Sequence, residues 1–337
     1  MKKFLLSMAL VAIAGAGTQA SAQTAPANAI NGKFSVAADK QVYFSQGNLQ
    51  YTQSTATWAF AEHQYDMIGT DNVTGGTVSH DATDGDEVFG EALADKIDLF
   101  GWSGSTAAVQ WGVGISSNSA ADYSGDFVDW GSNTIGTDAP NTWRTLTENE
   151  WEYVLSNRAD ADTKKGVARI NLSSDGTVYA NGLILLPDTW TAPAGITFKS
   201  GVARERSLQA YADYQTFTIS EWQQLESAGA VFLPAAGYRF AKQMYYVHSF
   251  ASYWTSTPND ANKAKQLGCE SDRVDMFVSM RNIGMSVRLV QDVKAVGTGI
   301  AEADVTGNVE TRKVLRDGQI LIQRGDQTYT MMGTTSK

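Results

Sequence analysis

The chain has 337 residues, 43% of them apolar, and a formal net charge of −10. That size and apolar fraction give one large domain with a tail, or two domains. The acidic balance speaks against nucleic acid and anionic membrane as partners, and the single cysteine, Cys269, excludes an internal disulfide.

Lys2 and Lys3 precede an apolar run from Phe4 to Ala16, and Ala20-Ser21-Ala22 follows. This pattern predicts a secretory signal over 1–22, too short to persist as a membrane helix, with cleavage after Ala22. Gln23 then leads the mature chain, and no Cys stands there to carry a lipid. An exported, non-spanning protein is expected, at the cell surface or outside the cell, with the periplasm left open. Residues 23–33 are small and polar and read as a mobile leader.

KFSVAADKQVYFSQGNLQYTQSTATWAF (33–60) alternates apolar and polar residues with breaks at Gly47 and Asn48, which predicts a β-hairpin or meander. Residues 69–90, rich in Gly, Thr and Asp, read as a long surface loop. Between Leu99 and Gly136, Gly and Ser clusters are punctuated by Trp102, Trp111 and Trp130. Those rings are expected to pin loops that have little regular structure.

Two helices carry one signature. In TLTENEWEYVLSNR, Thr147 and Glu150 form a capping box, and Trp151, Val154 and Leu155 share a face. In TISEWQQLESAG, Thr218 and Glu221 repeat the box, Trp222 and Leu225 the face, and Gly229 ends the helix. GLILLP and AVFLP, closing at Pro187 and Pro234, read as buried strands that follow them. Short strands, two short helices and ordered loops make an α+β pattern. Residues 293–311 read as a linker. The segment 312–337 alternates around Asp317-Gly318 and Gly325-Asp326, which predicts a small hairpin-like β tail.

The run WRTLTENEWEYVL, GLILLPD, AVFLPAAGYR, YWTSTP and SVRLV resembles secreted bacterial proteins with a C-type lectin-like fold of the formylglycine-generating-enzyme (sulfatase-modifying factor) type. The likeness spans about Phe34 to Val290, and the domain is taken as 34–292. Oxidase activity in that enzyme depends on two cysteines that bind copper. One thiolate does not supply two soft ligands, so the resemblance implies the fold without that reaction. The stretch from Ser252 to Val290 is also similar to the variable region of retroelement-diversified proteins. There, fixed positions hold a frame and the others face a ligand. Carried over, the frame is Tyr253 to Pro258, Ala264, Leu267, Cys269, Ser271, Val274, Gly284 and Ser286 to Val290. The implied ligand-binding set is Lys265, Gln266, Gly268, Glu270, Asp272, Arg273, Asp275, Phe277, Val278, Ser279, Met280, Asn282, Ile283 and Met285. The tail resembles a sorting or attachment segment of exported proteins from Gram-negative anaerobes.

The residue pattern bears on the same stretch independently. Leu267, Cys269 and Ser271 alternate with Gly268, Glu270 and Asp272, so a strand sends the two sets to opposite faces. Phe277, Val278, Met280, Ile283 and Met285 then crowd apolar residues among Ser, Arg, Asn and Gly. This reads as a binding patch, or else as core filling beneath a loop. Cys269 fits a nucleophile, an intermolecular bridge or a buried small hydrophobe, and its alternation predicts burial.

Other constellations give no chemistry. His63, His80 and His248 lack zinc spacing. Asp81 to Glu87 (DATDGDE) lacks the alternate-residue acids followed by Gly that a calcium loop needs, and no nucleophile elbow accompanies the Ser, His and Asp residues. The expectation is a non-enzymatic binding protein with no cofactor or metal, whose partner is an extracellular protein or, second, a glycan. The alternatives are an enzyme of the sulfatase-modifying type with altered chemistry and a structural envelope protein.

Overall fold

The computed structural model describes residues 25–72, 77–78, 95–106, 110–113, 119–241, 243–294, 311–316, 319–324 and 327–330. The expected signal, His80, the Asp81–Glu87 loop and most of the linker fall outside these residues. The chain divides into two compact units, Met1–Val293 and Lys294–Lys337. The first is mixed α and β, mostly sheet.

Residues 25–33 are not the loose leader expected. Ala29 bridges Ser45, the Ile30 N–H donates to Phe44 O at 2.8 Å, and the Ile30 side chain is buried in a core with Phe34 and Phe44. Strands β1 (Phe34–Ala37) and β2 (Lys40–Phe44) form one antiparallel hairpin, and β3 (Leu49–Thr52) and β4 (Thr57–Phe60) a second. The break at Gly47 sends the two hairpins into different sheets rather than one meander. A Cβ at Gly47 would come within 2.5 Å of Ala61 O, so the chain turns there only because the side chain is missing.

The surface loop expected from residue 69 starts inside the molecule. Asn72 is buried: its amide donates to Asp98 Oδ1 at 2.7 Å, and its carbonyl accepts from the Asp98 and Leu99 N–H groups. Burial pushes the Asp98 carboxyl up to about 6. Two short strands, β5 (Thr77–Val78) and β6 (Lys96–Ile97), flank this clamp.

After β7 (Arg144–Thr145), both capping boxes form as the sequence predicts. Thr147 caps α1 (Glu148–Glu152), and Thr218 caps α3 (Ile219–Ser227). Trp151, Val154, Leu155, Trp222 and Leu225 are all buried. Helix α1 runs into a π-helical turn, Tyr153–Asn157, which delivers Arg158 inward to Asp188 at 3.2 Å. A third helix, α2 (Leu208–Tyr214), was not expected. Ser207 caps it by accepting the Ala210 N–H, but Ala210 stands where a box needs Glu or Gln, so the signature is incomplete.

Strands β8 (Lys165–Asn171), β9 (Tyr179–Leu185), β10 (Thr216–Thr218) and β11 (Val231–Pro234) form a sheet in the order β10-β8-β9-β11. Its two faces enter different cores. Val167, Leu183, Leu185, Val231 and Leu233 face the one containing Trp151, and Ala168, Ile170, Ile184 and Phe232 the one containing Trp222. A wall buried on both sides has no polar face, which is why GLILLP and AVFLP are continuous apolar runs.

Downstream come β12 (Tyr238–Phe240), β13 (Gln243–Tyr245), β14 (Ala251–Pro258), β15 (Lys263–Glu270), β16 (Arg273–Met280) and β17 (Leu289–Asp292). β17 inserts between β2 and β7, so the two ends of the unit close one sheet.

A third core lies under the loops between residues 99 and 146, where tryptophans act as pins. Trp102 Nε1 donates to Thr255 O at 2.9 Å, Trp254 to Phe100 O at 2.7 Å and Trp130 to Trp111 O at 2.8 Å. Each buries a large apolar ring while satisfying a loop carbonyl. Arginines do the rest. Arg281 is buried against the Trp102 ring and donates to the carbonyls of Gly125 at 2.8 Å and Asp260 at 2.6 Å. Arg288 is buried on Gln64 Oε1. A guanidinium can cap several carbonyls that no strand pairs.

In the second unit β18 (Thr311–Arg316), β19 (Gln319–Arg324) and β20 (Gln327–Thr330) form an antiparallel sheet. The turns expected at 317–318 and 325–326 lie outside the described residues.

Candidate functional site

The stretch that the sequence singled out is a three-stranded antiparallel sheet in the order β14-β15-β16. β15 and β16 are joined by a two-residue turn, Ser271-Asp272, and stay in register from Glu270 opposite Arg273 to Lys263 opposite Met280. The turn is tied down: Ser271 Oγ donates to Glu205 O at 2.9 Å, and Ser271 O accepts from the Ala203 N–H at 2.7 Å.

Residues directly opposite each other share a face. One face carries Leu267 and Cys269 of β15 with Val274 and Met276 of β16, and it packs on the core of Tyr211 and Tyr253. The other carries Gln266, Gly268 and Glu270 with Arg273, Asp275, Phe277 and Ser279. The expected alternation is therefore present, with Leu267, Cys269, Val274 and the flanking frame residues Tyr253, Trp254, Val287, Leu289 and Val290 directed inward. Cys269 is a buried free thiol, and burial pushes it well above its ordinary value.

The fourteen implied ligand-binding residues do not share one fate. Arg273, Asp275, Val278 and Met280 are exposed, and Lys265, Asp272, Phe277, Ser279 and Ile283 are partly so. Gln266, Gly268, Glu270, Asn282 and Met285 are buried, which corrects their assignment to a displayed surface. Met285 enters the tryptophan core beside Phe100, because the Phe100–Met285 bridge turns it inward. Asn282 is fully buried where the chain leaves β16. Gln266 is covered because its amide donates to Ser279 Oγ at 2.6 Å across the strands. At Gly268 the ring of Phe277 lies over the sheet, and a Cβ there would sit 2.6 Å from it. Lys265, on the core-side face, is held by Glu148 of α1 at 2.8 Å.

Glu270 is buried for an electrostatic reason. Arg206 reaches it at 2.7 Å and Arg273 at 2.9 Å, and Arg206 also lies 3.5 Å from Asp272. The carboxylate is a hub between two half-exposed guanidinium groups. Arg273 in turn sits 4.6 Å above the Phe277 ring, where its charge meets the ring's negative face. From Phe277 a row of partly exposed rings crosses the sheet. Phe250 lies edge-on at 6.4 Å, Tyr238 at 6.5 Å from Phe250, and Tyr245 stacks on Tyr238 at 5.3 Å. Sequence reasoning missed Arg206 and these rings. For Tyr238 and Tyr245 the signal was the alternation of GYRFAKQMYY, which places them opposite each other on one face of the β12–β13 hairpin.

Elsewhere, a cleft of about 620 Å³ beside α2 is lined by Lys199, Arg204, Asp213 and Tyr214. Among the described residues no group of three His, Cys, Asp or Glu is arranged to hold a metal, and no helix is long and apolar enough to cross a membrane. His63 pairs with Asp66 and His248 is buried, so the two described histidines stand apart.

Neither protein-family profiles, nor curated proteins, nor solved structures gave a match to this chain.

Proposed function

We propose that this is an exported, non-enzymatic binding protein that meets its ligand with the outward face of the β15–β16 hairpin. The observation that carries the reading is the contrast within that hairpin. On that outward face Arg273 and Asp275 are exposed and Phe277 and Ser279 partly so, on a strand whose neighbour is buried and whose turn is bonded to residues 203–207. Exposed arginine and aromatic groups on a rigid base are what a recognition surface uses, since little ordering entropy is lost on binding. Arg273 and Phe277 are the anchors and Asp275 sits between them. The fold proposed is the C-type lectin-like one of the formylglycine-generating-enzyme type, without its oxidase chemistry. The partner proposed is an extracellular protein ahead of a glycan, with nucleic acid disfavoured by the net charge of −10.

The test is site-specific photocrosslinking in the native cell envelope. A photoactivatable residue at Asp275 should capture one partner, and the same residue at exposed Glu152 on α1 should not. Arg273→Ala with Phe277→Ala should reduce capture at least tenfold with the melting temperature nearly unchanged. Equal capture from both positions, or undiminished capture by the double variant, overturns the reading.

A further inference from the structure

β16 has a partner on one side only. Among the described residues its eight-residue length pairs with β15 alone, at the outer end of the sheet. Which of its main-chain groups point outward follows from three observations. The two-residue turn makes Glu270 and Arg273 a mutually hydrogen-bonded pair. Arg281, eight positions on, donates its N–H to Asn262 O in the same register. The Met276 N–H turns away from β15 and donates to its neighbour's carboxylate, Asp275 Oδ1, at 2.8 Å. In an antiparallel pair, hydrogen bonding alternates residue by residue. The odd-numbered residues therefore bond β15, and Val274, Met276 and Val278 direct their N–H and C=O groups outward.

Those residues are apolar as well. Val278 and Met280 are two of the four exposed large apolar side chains among the described residues, at 43% and 44% exposure. The outward main-chain groups of this ordered strand meet no second strand, and the Met276 N–H is held only by the adjacent Asp275 carboxylate, which a copy's carbonyl would displace. Such a strand, carrying exposed apolar side chains, is a template for another strand.

We infer that the occupant of this edge is the β16 strand of a second copy, paired antiparallel about a two-fold axis at Met276. The strand is complementary to itself in that register. Val274 opposes the copy's Val278, and Met276 opposes Met276, so the core-side face gains an unbroken apolar ladder. On the other face Arg273 opposes Ser279 and Asp275 opposes Phe277, and no like charges meet. An axis one residue away, at Asp275, would set the two Asp275 carboxylates against each other, which is repulsive. The axis at Met276 also uses the strand's whole length. It joins two sheets into one of six strands and leaves Arg273, Asp275 and Phe277 of both copies on the same face. The dimer then presents two recognition surfaces side by side, so a repetitive ligand is held with avidity. The pairing stands on β16 alone and does not depend on what that ligand is.

One strand edge is a small interface, so a dissociation constant on the order of 10 μM is expected. The full exported chain is run by size exclusion with light scattering from about 5 to about 200 μM. A shift from one to two chains is expected across that range. Val278→Pro removes an outward N–H without touching the β15 pairing, and Val278→Lys places a charge against Val274 of the copy. Both should be monomeric throughout. If the proline variant fails to fold, the lysine variant decides. Under mild oxidation Met276→Cys should form an interchain disulfide. Ser279→Cys, which the axis sets six positions from its own copy, should not, and buried Cys269 should stay reduced. A wild type that is monomeric at every concentration, a dimer that survives Val278→Lys, or equal crosslinking of the two cysteine variants overturns the inference. Binding of an added extended peptide to a wild type that stays monomeric would also overturn it, by assigning the edge to a different strand.

Discussion

β15 and β16 are neighbours of equal length in one hairpin, and they live in different environments. From Gln266 to Glu270 every residue of β15 is buried, whereas every residue of β16 is exposed or half-exposed. β16, RVDMFVSM, is the more apolar of the two and β15, KAKQLGCE, the less, so composition alone would forecast the opposite. The difference comes from position. β15 has a strand on each side, α1 and the Tyr211 core beneath it, and the Phe277 ring above it. Among the described residues β16 has one strand beside it. A central strand thus holds the frame, while its neighbour can vary its side chains at small cost to folding.

The largest expected effect breaks that contrast most directly. Leu267→Ala on β15 should cost about 3–4 kcal/mol in urea unfolding, because the surrounding core cannot close the gap. Val278→Ala on β16, measured alongside it, should stay within about 0.5 kcal/mol. Equal costs would mean that β16 is as much a part of the frame as β15.

Gly268→Ala comes next. Its new Cβ would meet the Phe277 ring at 2.6 Å and the Phe250 ring at 2.9 Å. The expected cost is about 1–3 kcal/mol from overpacking. Combining it with Phe277→Ala should recover most of that loss, and failure to do so would show that the Phe277 ring is not what closes the face.

Thr147→Ala should cost about 1 kcal/mol by uncapping α1, the helix whose Glu148 holds Lys265 of β15. Asp275→Ala on the exposed strand should change stability by less than about 0.5 kcal/mol.

The smallest effect on folding concerns the thiol. Because burial raises the Cys269 pKa, the folded protein keeps the thiol protonated across the neutral and mildly alkaline range. Alkylation should therefore stay slow from pH 7 to about 9 in the native protein, and should accelerate with pH once the chain is unfolded in urea. A native rate that climbs with pH as the unfolded rate does would place Cys269 at the surface.

Much of the frame was legible before any coordinates. Both capping boxes, the strand character of residues 33–60, the apolar strands ending at Pro187 and Pro234 and the inward alternation of Leu267 and Cys269 follow from local rules. They are legible because caps, turns and period-two alternation act over a few residues. What was illegible depends on partners far away in the chain. Helix α2 has half a capping signature and is completed by packing. Residues 25–33 look loose until Ile30 finds Phe34 and Phe44. Asn72, taken as part of a surface loop, is buried because Asp98 lies across from it.

The candidate site divides along the same line. From the sequence alone, alternation determined which residues of β15 stand together, whereas Phe277 and Val278, read as one patch, lie on opposite faces of β16. It also determined that Cys269 points toward the core and that rings and charges are mixed in one segment. Alternation cannot say whether a strand is central or at an edge, nor what covers its outward face. Only the tertiary structure decided that Gln266, Gly268, Glu270, Asn282 and Met285 are buried while Arg273, Asp275, Val278 and Met280 are exposed. The reason is that exposure depends on neighbours brought in from elsewhere: Arg206 beside Glu270, Phe250 above Gly268 and Phe100 beside Met285.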